Sequence, residues 1–166
     1  MTSRSAPEPF EVNLETQGGA FGTRQTSGNL TGQSESLDYF LSVADFDTDG
    51  FNNRASDVSA DEDGYENQTF HGRFGYVLSE AWRFDLVHRE VDGSNDYDGC
   101  FGPSGPIGDC SSDYGMQASR LGLEFLSEGF SHQLAYTRTS TERQDFTASE
   151  PTFGSQGEQV RGEYIG

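Results

Sequence analysis

The stretch Phe70-His-Gly-Arg-Phe-Gly-Tyr-Val-Leu78 alternates strictly. Phe70, Phe74, Tyr76 and Leu78, with Gly72 among them, fall on one side, and His71, Arg73, Gly75 and Val77 on the other. A period of two is the signature of a β-strand with chemically different faces. After Ser79-Glu-Ala81 the pattern resumes, with Trp82, Phe84 and Leu86 against Arg83, Asp85 and Val87, so the two segments read as a hairpin with a short turn.

The same form recurs on both sides of this hairpin. Tyr39, Leu41 and Val43 alternate with Asp38, Ser42 and Ala44 after the turn-like Gly32-Gln-Ser-Glu-Ser36. Leu121, Leu123 and Phe125 alternate with Arg120, Gly122 and Glu124, and after Ser127-Glu-Gly129 the alternation continues through Phe130, His132, Leu134 and Tyr136. Helical periodicity is nearly absent. The predicted strands lie at about 10–20, 20–31, 37–48, 65–79, 82–93, 116–127, 130–142 and 158–166, about eight in all.

Short turns near 32–36, 79–81 and 127–129 alternate with long acidic, Gly-rich stretches near 49–64, 93–115 and 143–157. Segregation of short and long connections to opposite ends fits an antiparallel up-and-down transmembrane β-barrel segment, with short periplasmic turns and long extracellular loops. A soluble β-sandwich is the competing reading. Composition agrees with a small aqueous core: of 166 residues 32% are hydrophobic, yet 13% are aromatic, too many for a disordered chain. The net charge of −18 disfavours nucleic acid and points to cationic partners. No apolar run is long enough for a spanning helix, and residues 1–9 lack the apolar core of a secretory signal.

Cys100 and Cys110 stand at the ends of a Gly/Pro-rich loop, which suits a disulfide and an oxidising compartment; two free buried thiols are the alternative. Asp45-Phe-Asp-Thr-Asp-Gly50 opens like an EF-hand loop, but the twelfth position, where such a loop ends in Glu, is Ser56, and no helix precedes it. Asp61-Glu-Asp63 together with Asp96, Asp98, Asp109 and Asp113 offers oxygen ligands for calcium; a solvated acidic loop is the plain alternative. Catalytic motifs are missing: His71, His88 and His132 lie in strands without a neighbouring nucleophile motif, and Gly99 to Gly108 lacks the Lys-Ser/Thr of a phosphate loop. Paired carboxylates involving Glu124 are as expected of lumen-facing charges. No enzymatic activity is expected.

Phe21-Gly-Thr-Arg24, Thr48-Asp-Gly-Phe51 and Asp61-Glu-Asp-Gly-Tyr-Glu-Asn67, in that order, resemble the first barrel strands of TonB-dependent outer-membrane receptors, in particular the vitamin B12 (cobalamin) transporter group. The resemblance covers most of the chain from about residue 10. It implies a Gram-negative outer-membrane location in contact with outer-membrane lipid, import of cobalamin or a similar scarce nutrient with TonB-derived energy in the full-length receptor, and structural Ca2+ in the extracellular loops. Carried over residue by residue, the calcium ligands fall on Asp61 and Asp63, on Asp98 within Asp96-Tyr-Asp98, and on Asp109. A further family aspartate falls on Asn52, with Asp49 close enough to replace it. Residues 1–9 then read as a disordered leader or plug-to-barrel remnant, and 10–166 as part of a receptor barrel whose whole has about 22 strands. The alternatives are a self-contained eight-stranded adhesin or structural barrel, and a secreted calcium-binding β-domain.

Overall fold

A computed structural model describes residues 10–52, 54, 62–102 and 105–166. The expected leader 1–9 and the candidate ligand Asp61 lie outside the described residues. The strands are β1 (Phe10–Gly18), β2 (Arg24–Gln33), β3 (Leu37–Thr48), β4 (Tyr65–Ser79), β5 (Trp82–Tyr97), β6 (Cys100–Gly102), β7 (Gly105–Ile107), β8 (Cys110–Ser127), β9 (Phe130–Thr147) and β10 (Glu150–Ile165). There is no helix among the described residues. Eight strands form one antiparallel sheet in the order β1-β2-β3-β4-β5-β8-β9-β10, and β6 and β7 form a separate small hairpin. Each strand pairs with its neighbour in sequence, apart from the inserted hairpin, so the topology is up-and-down. The sheet is open, with β1 and β10 as its edges.

Three connections differ from the sequence reading. The second strand starts at Arg24 because Gly19 to Thr23 close a tight turn: the Gly19 N–H donates to the Thr23 carbonyl at 2.9 Å, and Phe21 and Gly22 take positive φ of 56° and 64°. The long loop expected at 143–157 does not exist; β9 runs to Thr147 and β10 starts at Glu150. Their connection is Ala148-Ser149, with φ of 51° and 61°. Two consecutive left-handed residues make the tight hairpin turn usually written Asn-Gly, and Ala-Ser lacks that signal. The 93–115 loop shrinks likewise, since β5 extends to Tyr97 and β8 starts at Cys110.

Register places the apolar side chains on one face. Leu41 pairs with Gly72 and Val43 with Phe70, Phe74 with Leu86, Leu86 with Leu121, and Leu121 with Tyr136. This face is the exposed one: Leu14 is 84% exposed, Leu78 69%, Leu134 53%. The other face carries Arg73 and Arg83, whose side chains are only 28% and 29% exposed. Among the described residues the buried apolar side chains are Val91, Cys110 and Ala135, all on the polar face by register. A water-soluble domain does the reverse, covering the apolar face of a sheet with a second layer.

The apolar band ends before the strands do. On β4 it reaches from Leu78 to Phe70, about 27 Å at ~3.4 Å per residue. At its lower limit, beside the short turns, aromatic rings cross four strands: Trp82 and Phe125 lie 4.5 Å apart, Phe125 and His132 6.2 Å, His132 and Tyr164 6.0 Å. Above the band the same face turns acidic, with Glu66, Glu90, Asp92, Glu142 and Glu158.

On the polar face two side chains reach across an intervening strand. Arg83 of β5 donates to Asp38 of β3 at 2.7 Å and to Asp85 at 2.9 Å, and Arg73 also pairs with Asp38 at 3.3 Å. This span crosses β4 at Gly75, where a Cβ would fall on both the guanidinium and the carboxylate. Tyr114 of β8 crosses β5 at Gly93 in the same manner; its hydroxyl accepts from Asn67 Nδ2 at 3.0 Å and lies 2.8 Å from that of Tyr65 on β4.

Candidate functional site

Among the described residues, the sequence-predicted ligands lie at the end of the sheet opposite the turns at 34–36, 80–81 and 128–129, the end that also carries the tight turns of β1–β2 and β9–β10. Thr48 closes β3 there; its hydroxyl donates to the Phe21 carbonyl at 3.0 Å, and the Asp49 N–H donates to the same oxygen at 3.0 Å. The β1–β2 turn is thereby docked on the end of β3, with the rings of Phe21 and Phe51 5.6 Å apart and the Asp49 carboxylate against Gly22. Gly50 has φ of 75°, and its Cα lies so close to the Asp63 carbonyl that no other residue fits. Gly64 lies beside the Asp96 carboxylate and the Thr48 and Asp49 carbonyls, and its own carbonyl accepts from the Asp96 N–H at 2.9 Å. Asp49, Asp63 and Asp96 thus belong to one locality.

The other candidates are dispersed. Asn52 Oδ1 accepts from the Arg54 N–H at 2.7 Å. Both carboxylate oxygens of Asp98 are buried, next to the small hairpin. Asp109 lies on the far side of that hairpin, where its carbonyl accepts from the Ala148 N–H at 2.9 Å. Among the described residues no three His, Cys, Asp or Glu side chains converge as metal ligands. The donors present are all oxygens, carboxylate and carbonyl, which is the chemistry Ca2+ takes in sixes to eights. Cys100 and Cys110 are disulfide-bonded with Cα atoms 6.0 Å apart, so the bridge closes the hairpin between Asp98 and Asp109.

Hydrogen bonds tighten this end further. The Tyr65 phenol is held above the usual tyrosine range, chiefly by its hydrogen bond with Tyr114 and then by burial. The Asp145 carboxyl is held below the usual carboxylate range by the Arg143 guanidinium and by Ser112, whose side chain is fully buried. Tyr114 and Ser112 carry no local sequence signal, because their partners lie on neighbouring strands. The Gly93 that interrupts the polar end of β5 was the one legible sign, since a strand glycine marks a place where something else approaches closely. Compared with known proteins, the chain matches no family model and no curated sequence.

Proposed function

We propose that the chain is part of an outer-membrane β-barrel receptor, with its apolar face in lipid and its polar face toward the lumen. The observation that carries this is the inversion of exposure: the apolar face is bare, whereas the Asp38, Arg73, Arg83 and Asp85 cluster on the opposite face is less than a third exposed. Tilted by about 40°, the ~27 Å apolar run on β4 spans roughly 20 Å of the membrane normal, close to the ~25 Å band of such barrels. The Trp82, Phe125, His132 and Tyr164 row then lies at the interface beside the short turns, and the acidic extensions stand outside the bilayer. In the full receptor the loops at that outer end bind a scarce nutrient such as cobalamin, and TonB supplies the energy of import.

In purified form the chain is expected to require detergent or lipid for solubility and to show heat-modifiable mobility in gels. A water-soluble monomer with one sharp thermal transition overturns the reading in favour of a secreted β-domain. A self-contained eight-stranded barrel is the second reading, favoured by the eight strands of the sheet. It requires β1, of 9 residues, to pair with β10, of 16, which leaves 16 − 9 = 7 residues of that edge uncovered.

Where Ca2+ binds, Asp49, Asp63 and Asp96 would hold it at the end of β3; Asn52, Asp61, Asp98 and Asp109 are ligands on the resemblance alone. Its charge would offset the repulsion among these acids and order the loops. Replacing Asp61 and Asp63 together with Ala is expected to abolish loop protection from protease in millimolar Ca2+, the range of extracellular sites with Kd of about 10⁻⁴–10⁻³ M. Protection equal to that of the unmodified chain excludes these two as ligands.

A further inference from the structure

Ser119 and His88 stand directly opposite each other where β8 pairs with β5, and the Ser119 Oγ lies 2.8 Å from His88 Nδ1. The second ring nitrogen, Nε2, faces Glu90 Oε2 at 3.8 Å. Glu90 is held in turn, since Gln117 on β8 donates to its other oxygen at 2.7 Å. Hydroxyl, imidazole and carboxylate in this sequence form the arrangement that activates a serine: the carboxylate favours the tautomer with its proton on Nε2, which leaves Nδ1 to accept the hydroxyl proton. Nothing in the fold calls for it, because the backbone here is already paired in the ladder.

Its location indicates the substrate. On the same face, one step toward the short turns are Leu86, Leu121 and Tyr136, and one step the other way are Glu90, Gln117 and Ser140. The Phe70 ring lies 6.1 Å from His88. Ser119 therefore sits on the line where the apolar band gives way to polar surface. Arg138 is its partner on β9 and donates to Glu158 at 2.7 Å. A guanidinium has five N–H donors, so others remain for an oxyanion or a phosphate.

We propose that Ser119 is a nucleophile and His88 its general base, in a site on the outward face that cleaves acyl esters of lipids at the bilayer surface; the lipid substrate class rests on the membrane reading above. His88 Nδ1 takes the proton of Ser119 Oγ as the oxygen bonds to the acyl carbon. The tetrahedral intermediate collapses with breakage of the ester C–O bond, and His88 returns the proton to the departing alkoxide. Water, deprotonated by His88, then cleaves the acyl-serine, releasing the fatty acid and restoring the hydroxyl. Glu90 is a positioning residue that orients the imidazole.

The test uses the purified chain in detergent micelles, treated with a fluorophosphonate reagent, which bonds to an activated serine through phosphorus with loss of fluoride. The adduct is expected on Ser119, with S119A unlabelled and H88A slowed by roughly 10²-fold or more, the scale of general-base catalysis. E90Q is expected to be slowed while E90D recovers most of the rate, a pattern that loss of folding does not produce. Failure of the heat-modifiable, folded protein to label Ser119 overturns the nucleophile. Mixed micelles of phosphatidylethanolamine supply the second arm: serine-dependent release of fatty acid supports the substrate class, and labelled protein that releases none overturns it. Labelling of Ser119 in a chain that proves water-soluble would retain the nucleophile and remove the membrane reading.

Discussion

Leu121→Arg is expected to destabilise the folded, lipid-inserted sheet by about 1–3 kcal/mol, because Leu121 lies one step inside the polar edge of the apolar band at Ser119, between the midplane, where a charge on the lipid face costs about 2–4 kcal/mol, and the interface, where it costs about 0–1. Leu121 lies on the apolar face, between Leu86 of β5 and Tyr136 of β9, and is 43% exposed. In water an arginine there would gain hydration and lose little, so the sign of the effect reports the solvent of this face. The matched control is Thr139→Arg, whose side chain joins the polar face between Ala118 and Gln159; its expected change is within about 0.5 kcal/mol, as for ordinary surface positions. Urea titration of the folded fraction in phosphatidylcholine vesicles measures both. A Leu121→Arg variant no less stable than Thr139→Arg would remove lipid from the apolar face.

Gly75→Val is expected to cost about 2 kcal/mol, within the range for disrupting a partly buried ionic network. The cost does not come from backbone conformation, because Gly75 is not among the glycines with positive φ. It comes from occupancy: the new Cβ would take the place of the Arg83 guanidinium and the Asp38 carboxylate. Displaced, Asp38 loses both Arg73 and Arg83, and β3 loses its tie to β5. The same titration in vesicles reads the loss, and Gly75→Val combined with Asp38→Asn is expected to lose clearly less than the sum of the two single changes, since both act on one pair. Strict additivity would mean that the glycine serves something other than the bridge.

Much of the architecture is legible in the sequence. Phe70 to Leu78 and Trp82 to Val87 alternate because one face is apolar and the other polar, and that contrast survives in the sequence wherever the apolar band runs. Beyond the band both faces are polar, so the alternation disappears although the strand continues. This is why β9 past Glu142 and β10 before Glu158 read as a loop, and why Ala148-Ser149 went unrecognised as their turn. The candidate metal ligands were partly legible: Asp49 and Asp63 do approach one locality, and Asp96 joins them through Gly64, while Asp98 and Asp109 are set apart by the disulfide-closed hairpin.

Sequence alone determined that this chain is a meander of β-strands with one apolar face, because strand periodicity and turn chemistry are properties of residues a few positions apart. Which side chains meet was decided only by the tertiary structure. Register across β5 and β8 sets Ser119 on His88, although 31 positions separate them, and it lays Tyr114 over Gly93 and Arg83 over Gly75. A pairing register is the joint product of every turn and bulge between two strands, so no local stretch contains it.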